Sequence, residues 1–553
     1  MCIAPKPSCA YTKRMNSSQA TPEFSHRTRE KNLKRLETEE FDFLIIGGGI
    51  SGAGVAWDAA SRGYKVAVVE KDDFAQGTSS RSSKLVHGGL RYLENYEFGL
   101  VHESLTERAY LLNAAPHLVR PLPFYMPVYR DSPHSSYLLS AGMWFYDLLS
   151  LFRAPALHQR ISAGSSIRMI PGMRRDGLVC TFKYYDASMW DDALVLDVML
   201  KAHELGACIT SRTKAVEAIR DDKGIIREMW IEDSLTKTRK KVRFKRLIVC
   251  AGVFTDEVGK MLDGPKWHNW LAPSRGIHLV FDWKRVPVPG AVTMQIGDGR
   301  IAFVIPRHDY GQGITIVGTT DGPTTLPPGE IENETAAIKE DTAYLLDLMK
   351  QYFPALKLTN DDIITHYIGI RPLVDPKRNT GSDGAASLQK VSREQTIDHG
   401  PGGSVIIAGG KYTTFRKIAE EVVDFATKDW KHLEPQTDGL LFNPAHPERI
   451  RRAREIARAK GIVVPEKLYE RYGADALAIA HIHTSDCEQT TEDPEGFPFL
   501  EAQFRYSVRH QMVMSVEDFV RRRQALSLCR QDQGAPWFPL LEKALKSELS
   551  STR

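Results

Sequence analysis

The sequence predicts an α/β + α chain: a doubly wound α/β half, an antiparallel sheet domain inserted into it, and a helical C-terminal domain. Three observations carry that prediction. Residues 41–92 open as a short apolar run, a glycine turn and a helix start. Between residues 277 and 321 the segments IHLVF, AVTMQI, RIAFVIP and ITIVGTTD alternate in the manner of strands, and a run of strands after an α/β start marks a second, antiparallel sheet. Beyond about residue 436, Pro and Gly punctuate a linker and helical periodicity follows to the end.

The composition bounds the answer. The chain has 553 residues, 42% hydrophobic and 26% charged, enough for two or three domains with sizeable cores. A net charge of +4 argues against a nucleic-acid binder. Seven scattered cysteines without a C-x-x-C pair suit a reducing compartment, and no metal site is expected. No run of about 18 uncharged apolar residues predicts a membrane-spanning helix.

Taken in order, residues 1–40 are basic and lack apolar periodicity, the signature of a disordered basic tail. An organelle-targeting segment is the alternative, because the first acid is Glu23. Residues 43–46 have the length of a buried strand. Gly47, Gly49 and Gly52 then match G-x-G-x-x-G: a tight turn, a close approach for a pyrophosphate, and close packing of helix on strand. The helix over 53–62 would offer its N-terminal N–H groups to the anion. A strand over 65–69 delivers Glu70 about 20 residues past the glycines, where a carboxylate accepts from ribose hydroxyls. This is a Rossmann-like dinucleotide fingerprint, and by itself it does not separate FAD from NAD. An acid at Glu70 argues against a 2′-phosphate.

Residues 72–83 form a polar loop whose hydroxyls suit a bound phosphate, or simply cap helices. VHGGLRYL follows, with His87, Arg91 and Tyr92 beside a glycine pair. Residues 100–118 read as an amphipathic helix. Residues 137–152, the most apolar stretch, read as a core helix or as an interfacial one with Trp144 and Phe145 at a lipid boundary. Residues 184–197 lead into a helix ending near Gly206. Strands are expected over 207–219 and 245–252, the second ending in the small turn Ala251-Gly252. Residues 361–373 end IGIRPL, and 395–399 start a short strand. The strand 404–407 runs into GGKYTTFR and a helix over 417–430, a second strand–Gly-Gly–helix junction for the nucleotide. Basic helices over 449–460 and 508–528, the latter with Arg521, Arg522 and Arg523, are solvated faces or contacts for anionic lipid headgroups. The domains are then 1–40, a tail; 41–435, the nucleotide-binding domain with sheet-forming inserts at about 85–205 and 270–375; and 436–553, helical.

The motifs SSRSSKLVHGGLRYLENYEFGLVHESLTERAYLL, YYDASMWDDALVLD, FVIPRHDYGQGITIVGTTD, IGIRPLV, VSREQTI and GGKYTTFRKIAE together carry a resemblance. Over residues 41–530 the chain resembles the FAD-dependent, membrane-associated, quinone-linked glycerol-3-phosphate dehydrogenases. The resemblance implies non-covalent FAD, oxidation of sn-glycerol 3-phosphate to dihydroxyacetone phosphate, and electrons passed to ubiquinone or menaquinone. By motif position it implies an active-site turn of His87, Arg91 and Tyr92, and substrate-binding cations Arg371, Arg393 and Lys411. It implies FAD contacts at Gly47, Gly49, Gly52, Glu70, Thr78, Ser79, Ser83, Lys84, Leu85, His87, Ala251, Gly252, Gly410, Lys411, Thr413 and Thr414. Two positions depart from the family pattern: Val249-Cys250-Ala251-Gly252 stands for N-A-T-G, and Arg275 for the lysine of K-G-S-H. The calcium loops of mitochondrial members are missing, which favours the bacterial-type form. The expected location is peripheral, on the cytoplasmic face of the inner (cell) membrane, or mitochondrial in a eukaryote. The expected partners are the substrate, a quinone and an anionic membrane surface, without nucleic acid, and with a homodimer left open.

The chemistry suits those residues. Arginine forks bind phosphate oxygens in pairs and lysine adds a compact charge. Oxidation at C2 requires removal of the hydroxyl proton, for which a histidine near neutrality is suited. His87 is the expected base and Arg371 the stabiliser of the developing alkoxide, or the inverse. An O₂-using glycerol-3-phosphate oxidase, an amino-acid oxidase of the same fold and a non-catalytic flavin sensor are the competing readings.

Overall fold

The computed structural model describes residues 21–93, 96–151, 153–295, 301–324, 330, 335–375, 395–437, 446–487 and 493–550, without the side chains of Arg91 and Tyr92. Its first sheet runs in the order Gln395–His399, Val405–Gly409, Arg239–Val249, Glu40–Ile46, Val66–Val69, Cys208–Thr210. The last five of these strands pair in parallel. EFDFLII is buried on both faces, as a central parallel strand must be. Phe43 and Ile45, with Val66 and Val68, face a core shared with the helices Ile50–Ser61 and Phe415–Ala426. Leu44 and Ile46, with Ala67 and Val69, face the opposite core. A hairpin of Thr213–Arg220 and Ile226–Asp233 extends the sheet from Arg239–Val249.

Among the described residues the second sheet has ten strands. Ser274–Asp282, Ile314–Gly318, Ile301–Arg307 and Ala291–Gln295 form an antiparallel run, with Ile363–Arg371 on the other side of Ser274–Asp282. Ala291–Gln295 then pairs in parallel with Val119–Tyr129, which pairs with Leu178–Met189, which pairs with Leu85–Val86. The two inserts therefore build one continuous sheet. The first insert ends near Met189, because the helix Asp191–Glu204 leaves the sheet and packs on Ile50–Ser61.

Three sequence expectations are corrected. Residues 21–40 are not a disordered tail. Ser25 caps a helix, His26–Thr38, whose Leu33 and Leu36 join the outer core of the nucleotide sheet. Its Arg29 is buried against Asp233 (2.5 Å) and the Ser211 carbonyl. Just before it, Phe24 is fully buried and exchanges backbone hydrogen bonds with Arg509 and Met512 of the C-terminal domain. The periodicity was hidden because cations alternate with few apolar residues. Residues 1–20 lie outside the described residues.

The helix expected over 508–528 is three pieces: Leu500–His510, Val516–Arg522 and Leu526–Cys529. A capping box at Ser515 and Asp518 starts the middle one. Arg522 and Arg523 are not surface cations, because both bind the buried carboxylate of Asp73 in the nucleotide domain, at 2.6–2.8 Å. Burial opposes the charge on Asp73, but the two guanidiniums outweigh it and hold its pKa below the ordinary carboxylate range. Third, the helix expected over 417–430 starts earlier, Phe415–Ala426.

Candidate functional site

The nucleotide cradle is built by the strand Glu40–Ile46 and the turn that follows. Gly47 has φ +115, and a Cβ there would meet the Cys250 carbonyl oxygen at 2.4 Å. A Cβ on Gly52 would meet the Gly47 carbonyl oxygen at 2.0 Å. Both positions require glycine. Gly49, which N-caps the helix Ile50–Ser61, has only the Ser79 hydroxyl (3.1 Å) near its absent side chain. Its approach side is otherwise open, as a pyrophosphate needs. Ser79 accepts a hydrogen bond from the Ile50 N–H (3.0 Å), so its hydroxyl orders the helix start.

Glu70 ends the strand Val66–Val69 and accepts from the N–H groups of Gly48 (2.5 Å) and Asp72 (2.9 Å). It lines a cavity of about 220 Å³ with Gly47, Thr213, Ala251 and Phe254. Burial raises its pKa to about 7, against those two N–H donors, which lower it. A half-buried carboxylate at the end of the second strand, beside a cavity and with lone pairs beyond its two backbone donors, fits a ribose that supplies further hydroxyls. The cradle therefore fits the adenosine diphosphate half of FAD.

From there a chain of contacts links the polar loop to the second sheet and to the Gly409-Gly410 junction. Thr78 donates to the Ile370 carbonyl (2.6 Å), tying the polar loop to the strand that ends at Arg371. Ser83 bonds the ring of His278 (2.8 Å), and His278 stacks on Tyr367. Lys84 is buried, with its ammonium on Asp191 (2.7 Å) and the Ser80 carbonyl. That side chain is committed to the protein, so a flavin contact from Lys84 would come from its backbone. Leu85 pairs with Ser188 in the second sheet, and half-buried His87 follows. From the opposite side, Tyr412 donates to the Asp191 carbonyl, and Lys411 reaches Ser104 (3.3 Å) on the helix Phe98–Ala114. The next residue, Leu105, is the one against Gly88. The His87 turn and the Lys411 turn thus sit on the same helix at adjacent positions.

Gly409 and Gly410, both at positive φ, make the second junction, and Thr413 and buried Thr414 lead into the helix Phe415–Ala426. Ala251 and Gly252, with φ +54, turn the end of Arg239–Val249 at the cavity wall. Arg371 is held by Thr319 (2.8 Å), Asp321 (3.2 Å) and the Thr320 carbonyl (3.0 Å). Its charge is partly balanced, and its orientation is set by the protein. Arg393 and the side chains of Arg91 and Tyr92 lie outside the described residues.

The chain that builds this cradle has known counterparts. A family model described as FAD dependent oxidoreductase matches residues 42–418, and one described as the C-terminal domain of alpha-glycerophosphate oxidase matches residues 445–553. The aerobic glycerol-3-phosphate dehydrogenase of Staphylococcus haemolyticus is 34% identical over 514 residues, spanning 90% of this chain and 88% of that protein. That of Staphylococcus aureus is 32% identical over 517 residues, with the same coverage. The chain belongs to the FAD-dependent glycerol-3-phosphate dehydrogenase family.

A solved member of the family aligns over most of the chain. The glycerol-3-phosphate dehydrogenase of Bacillus halodurans, solved complexed with FAD, aligns at TM-score 0.76 and 26% identity, covering 96% of this chain and 95% of that one. The L-alpha-glycerophosphate oxidase of Mycoplasma pneumoniae shares the fold at TM-score 0.50 and 16% identity, covering 73% and 98%. As a member of this family the chain is a flavoprotein oxidoreductase, and its cofactor is FAD.

In this dehydrogenase family member one buried histidine beside Ser83 and the Arg371 strand carries no sequence signature. His278 is buried between Ser83, Tyr367 and the segment carrying Arg371, and its Nδ1 has no hydrogen-bond partner. Burial, then the charges of Arg371 and Lys84, depress its pKa to about 3, so it is a neutral ring at physiological pH. In the SRGIHLV strand it reads as any core histidine, and only tertiary packing brings it to Ser83 and Tyr367.

Proposed function

We propose that this protein oxidises sn-glycerol 3-phosphate to dihydroxyacetone phosphate, with FAD as the immediate electron acceptor and a membrane quinone as the final one. Similarity to aerobic glycerol-3-phosphate dehydrogenases over 90% of the chain supports the substrate. So do the contacts of Lys411 and of the turn after His87 with successive residues, Ser104 and Leu105, of one helix. FAD, when bound, supplies the two-electron acceptor. The residues of the chain supply the rest. Lys411 gives a compact positive charge for the phosphate. Arg371, oriented by Asp321 and Thr319, presents a fixed guanidinium to the C2 oxygen as its proton leaves. His87 takes that proton.

The experiment is anaerobic addition of sn-glycerol 3-phosphate to the yellow holoenzyme. Bleaching of the flavin is expected with this enantiomer and not with its mirror image. An unbleached flavin would refute the substrate. His87→Ala should slow flavin reduction at least about 100-fold, the scale of general-base loss, with phosphate-ester affinity nearly unchanged.

An exposed apolar platform supports quinone as the acceptor and peripheral attachment to a membrane. The helix Ser136–Leu149 carries no Lys, Arg or Glu, and its only acid, Asp147, is buried. It buries Met143 and Tyr146 and turns Tyr137, Leu138, Trp144, Phe145 and Leu148 outward. Phe98 packs edge-on against Phe145, and Tyr96 against Phe98, extending the patch. Exposed Arg153 and Arg160 follow it in the chain. Aromatic rings beside cations suit the headgroup boundary of an anionic bilayer. Among the described residues no helix is long and apolar enough to cross a membrane. The O₂-using alternative is favoured by the oxidase description attached to the C-terminal match. Turnover with ubiquinone in vesicles, compared with hydrogen peroxide formation in air, separates the two.

A further inference from the structure

His87 stands immediately before two glycines, and Gly89 has φ +75. A Gly-Gly backbone has little conformational preference of its own. The geometry of this turn must therefore be imposed from outside, and three buried residues do so. Asp186, on the strand Leu178–Met189, accepts the Gly88 N–H at 3.3 Å through Oδ1. The same carboxylate accepts the Tyr146 hydroxyl at 3.0 and 3.2 Å, and a hydrogen bond from the Arg108 guanidinium. Arg108 also donates to the Tyr185 carbonyl at 2.9 Å. Asp186, Arg108 and Tyr146 are all at most 2% exposed. A Cβ on Gly88 would lie 2.3 Å from both the Tyr146 hydroxyl oxygen and Leu105, so the turn is pressed against this group as well as bonded to it.

We infer that Asp186 is a positioning residue for the reaction: with Arg108 and Tyr146 it clamps the Gly88 backbone and so fixes His87 against the C2 hydroxyl. Asp186 touches neither substrate nor flavin in this role. Its carboxylate joins the turn to two rigid elements, the helix Phe98–Ala114 through Arg108 and the helix Ser136–Leu149 through Tyr146. The Tyr146 hydroxyl stays protonated, because burial and then the Asp186 charge raise its pKa well above the ordinary tyrosine value. It is a permanent donor. Displacement of a catalytic group by about 1 Å is enough to cost about 100-fold in rate, so loss of this clamp should appear in the chemical step.

The inference rests on His87 being the base, and the test keeps the two apart. Tyr146→Phe removes one hydroxyl and little volume. In the full-length holoenzyme, its rate constant for anaerobic flavin reduction by sn-glycerol 3-phosphate should fall at least tenfold. The substrate concentration for half-maximal reduction should stay within twofold, and the melting temperature within a few degrees. Asp186→Asn should show the same split more strongly, and Asp186→Glu should not restore the rate, because its carboxylate sits one methylene further out. Should Asp186→Asn fail to fold, Tyr146→Phe decides alone. Wild-type reduction rates in Tyr146→Phe would overturn the inference. So would a loss of rate matched by equal losses of substrate affinity and thermal stability, which is the mark of a merely structural pair. If His87→Ala reduces its flavin at the wild-type rate, the base assignment fails, whatever Tyr146→Phe does. A slow His87→Ala beside a fast Tyr146→Phe sinks only the clamp.

Discussion

Glu70 is the residue at which the sequence pattern and the local environment are most tightly linked. Its pKa is raised to about 7 by burial, while ribose hydroxyls would donate to its ionised form. FAD binding should therefore release a proton. Affinity of apoprotein for FAD should rise with pH up to about 7, by at most tenfold per unit, and level off above it. Quenching of FAD fluorescence between pH 5.5 and 8.5 measures this, and Glu70→Gln should flatten the curve. His278 carries the opposite lesson. Its pKa is depressed to about 3, so the folded protein keeps it neutral while the unfolded chain protonates it below about 6.5. Stability is lost as pH falls below 6.5, by about 1.4 kcal/mol per unit from this site. Urea titrations from pH 6.5 to 4 should show His278→Gln gaining on the wild type as the solution is acidified. Gly52→Ala admits no such grading. Its methyl group would overlap the Gly47 carbonyl, and the variant should purify colourless or not at all.

At the scale of elements, a buried acid is central to the attachment of the C-terminal helices. Asp73 holds both Arg522 and Arg523, and Asp518 adds Arg212 and Arg522 to the same buried group. Removing one partner of such a cluster strands buried charge, at a cost of about 3–5 kcal/mol. Asp73→Ala should loosen the helical domain, seen as faster proteolysis of residues 493–550 and a lower denaturation midpoint. Because the Asp73 carboxyl is held below the usual range, its contribution is complete above pH 3.8 and is lost only as pH falls through its depressed value. Near-neutral pH changes should leave the attachment intact. The N-terminal segment reinforces it, since Phe24 lies buried between the two domains, stacked on Phe74.

At the scale of the whole molecule, the apolar face of the helix Ser136–Leu149 sits on the back of the element that carries Tyr146. Replacing Trp144 and Phe145 with Glu should abolish sedimentation with anionic vesicles, while anaerobic reduction by substrate in solution persists. Equal sedimentation of the double variant and the wild type would remove the platform from the membrane reading. The sequence could not decide between a core helix and an interfacial one here, because the helix is both, one face buried and one exposed. The helix His26–Thr38 has no local signature for a related reason. Its stability comes from Leu33, Leu36 and Arg29 meeting residues about 180 or more positions away, and local composition does not record such partners.

Short-range chemistry is what the chain announced by itself. The glycines at 47, 49 and 52, the acid at 70 and the Gly-Gly junction before Lys411 each answer a local backbone or charge requirement, so each is legible within a few residues of its place. Which charges meet was settled by folding. Asp186 under Gly88, His278 beside Ser83, Asp191 between Lys84 and Tyr412, and Asp73 between two arginines are pairings across sheets and domains. Nothing local distinguishes such a carboxylate or imidazole from one on the surface, because its role is conferred by the burial and the partner that the tertiary structure brings to it.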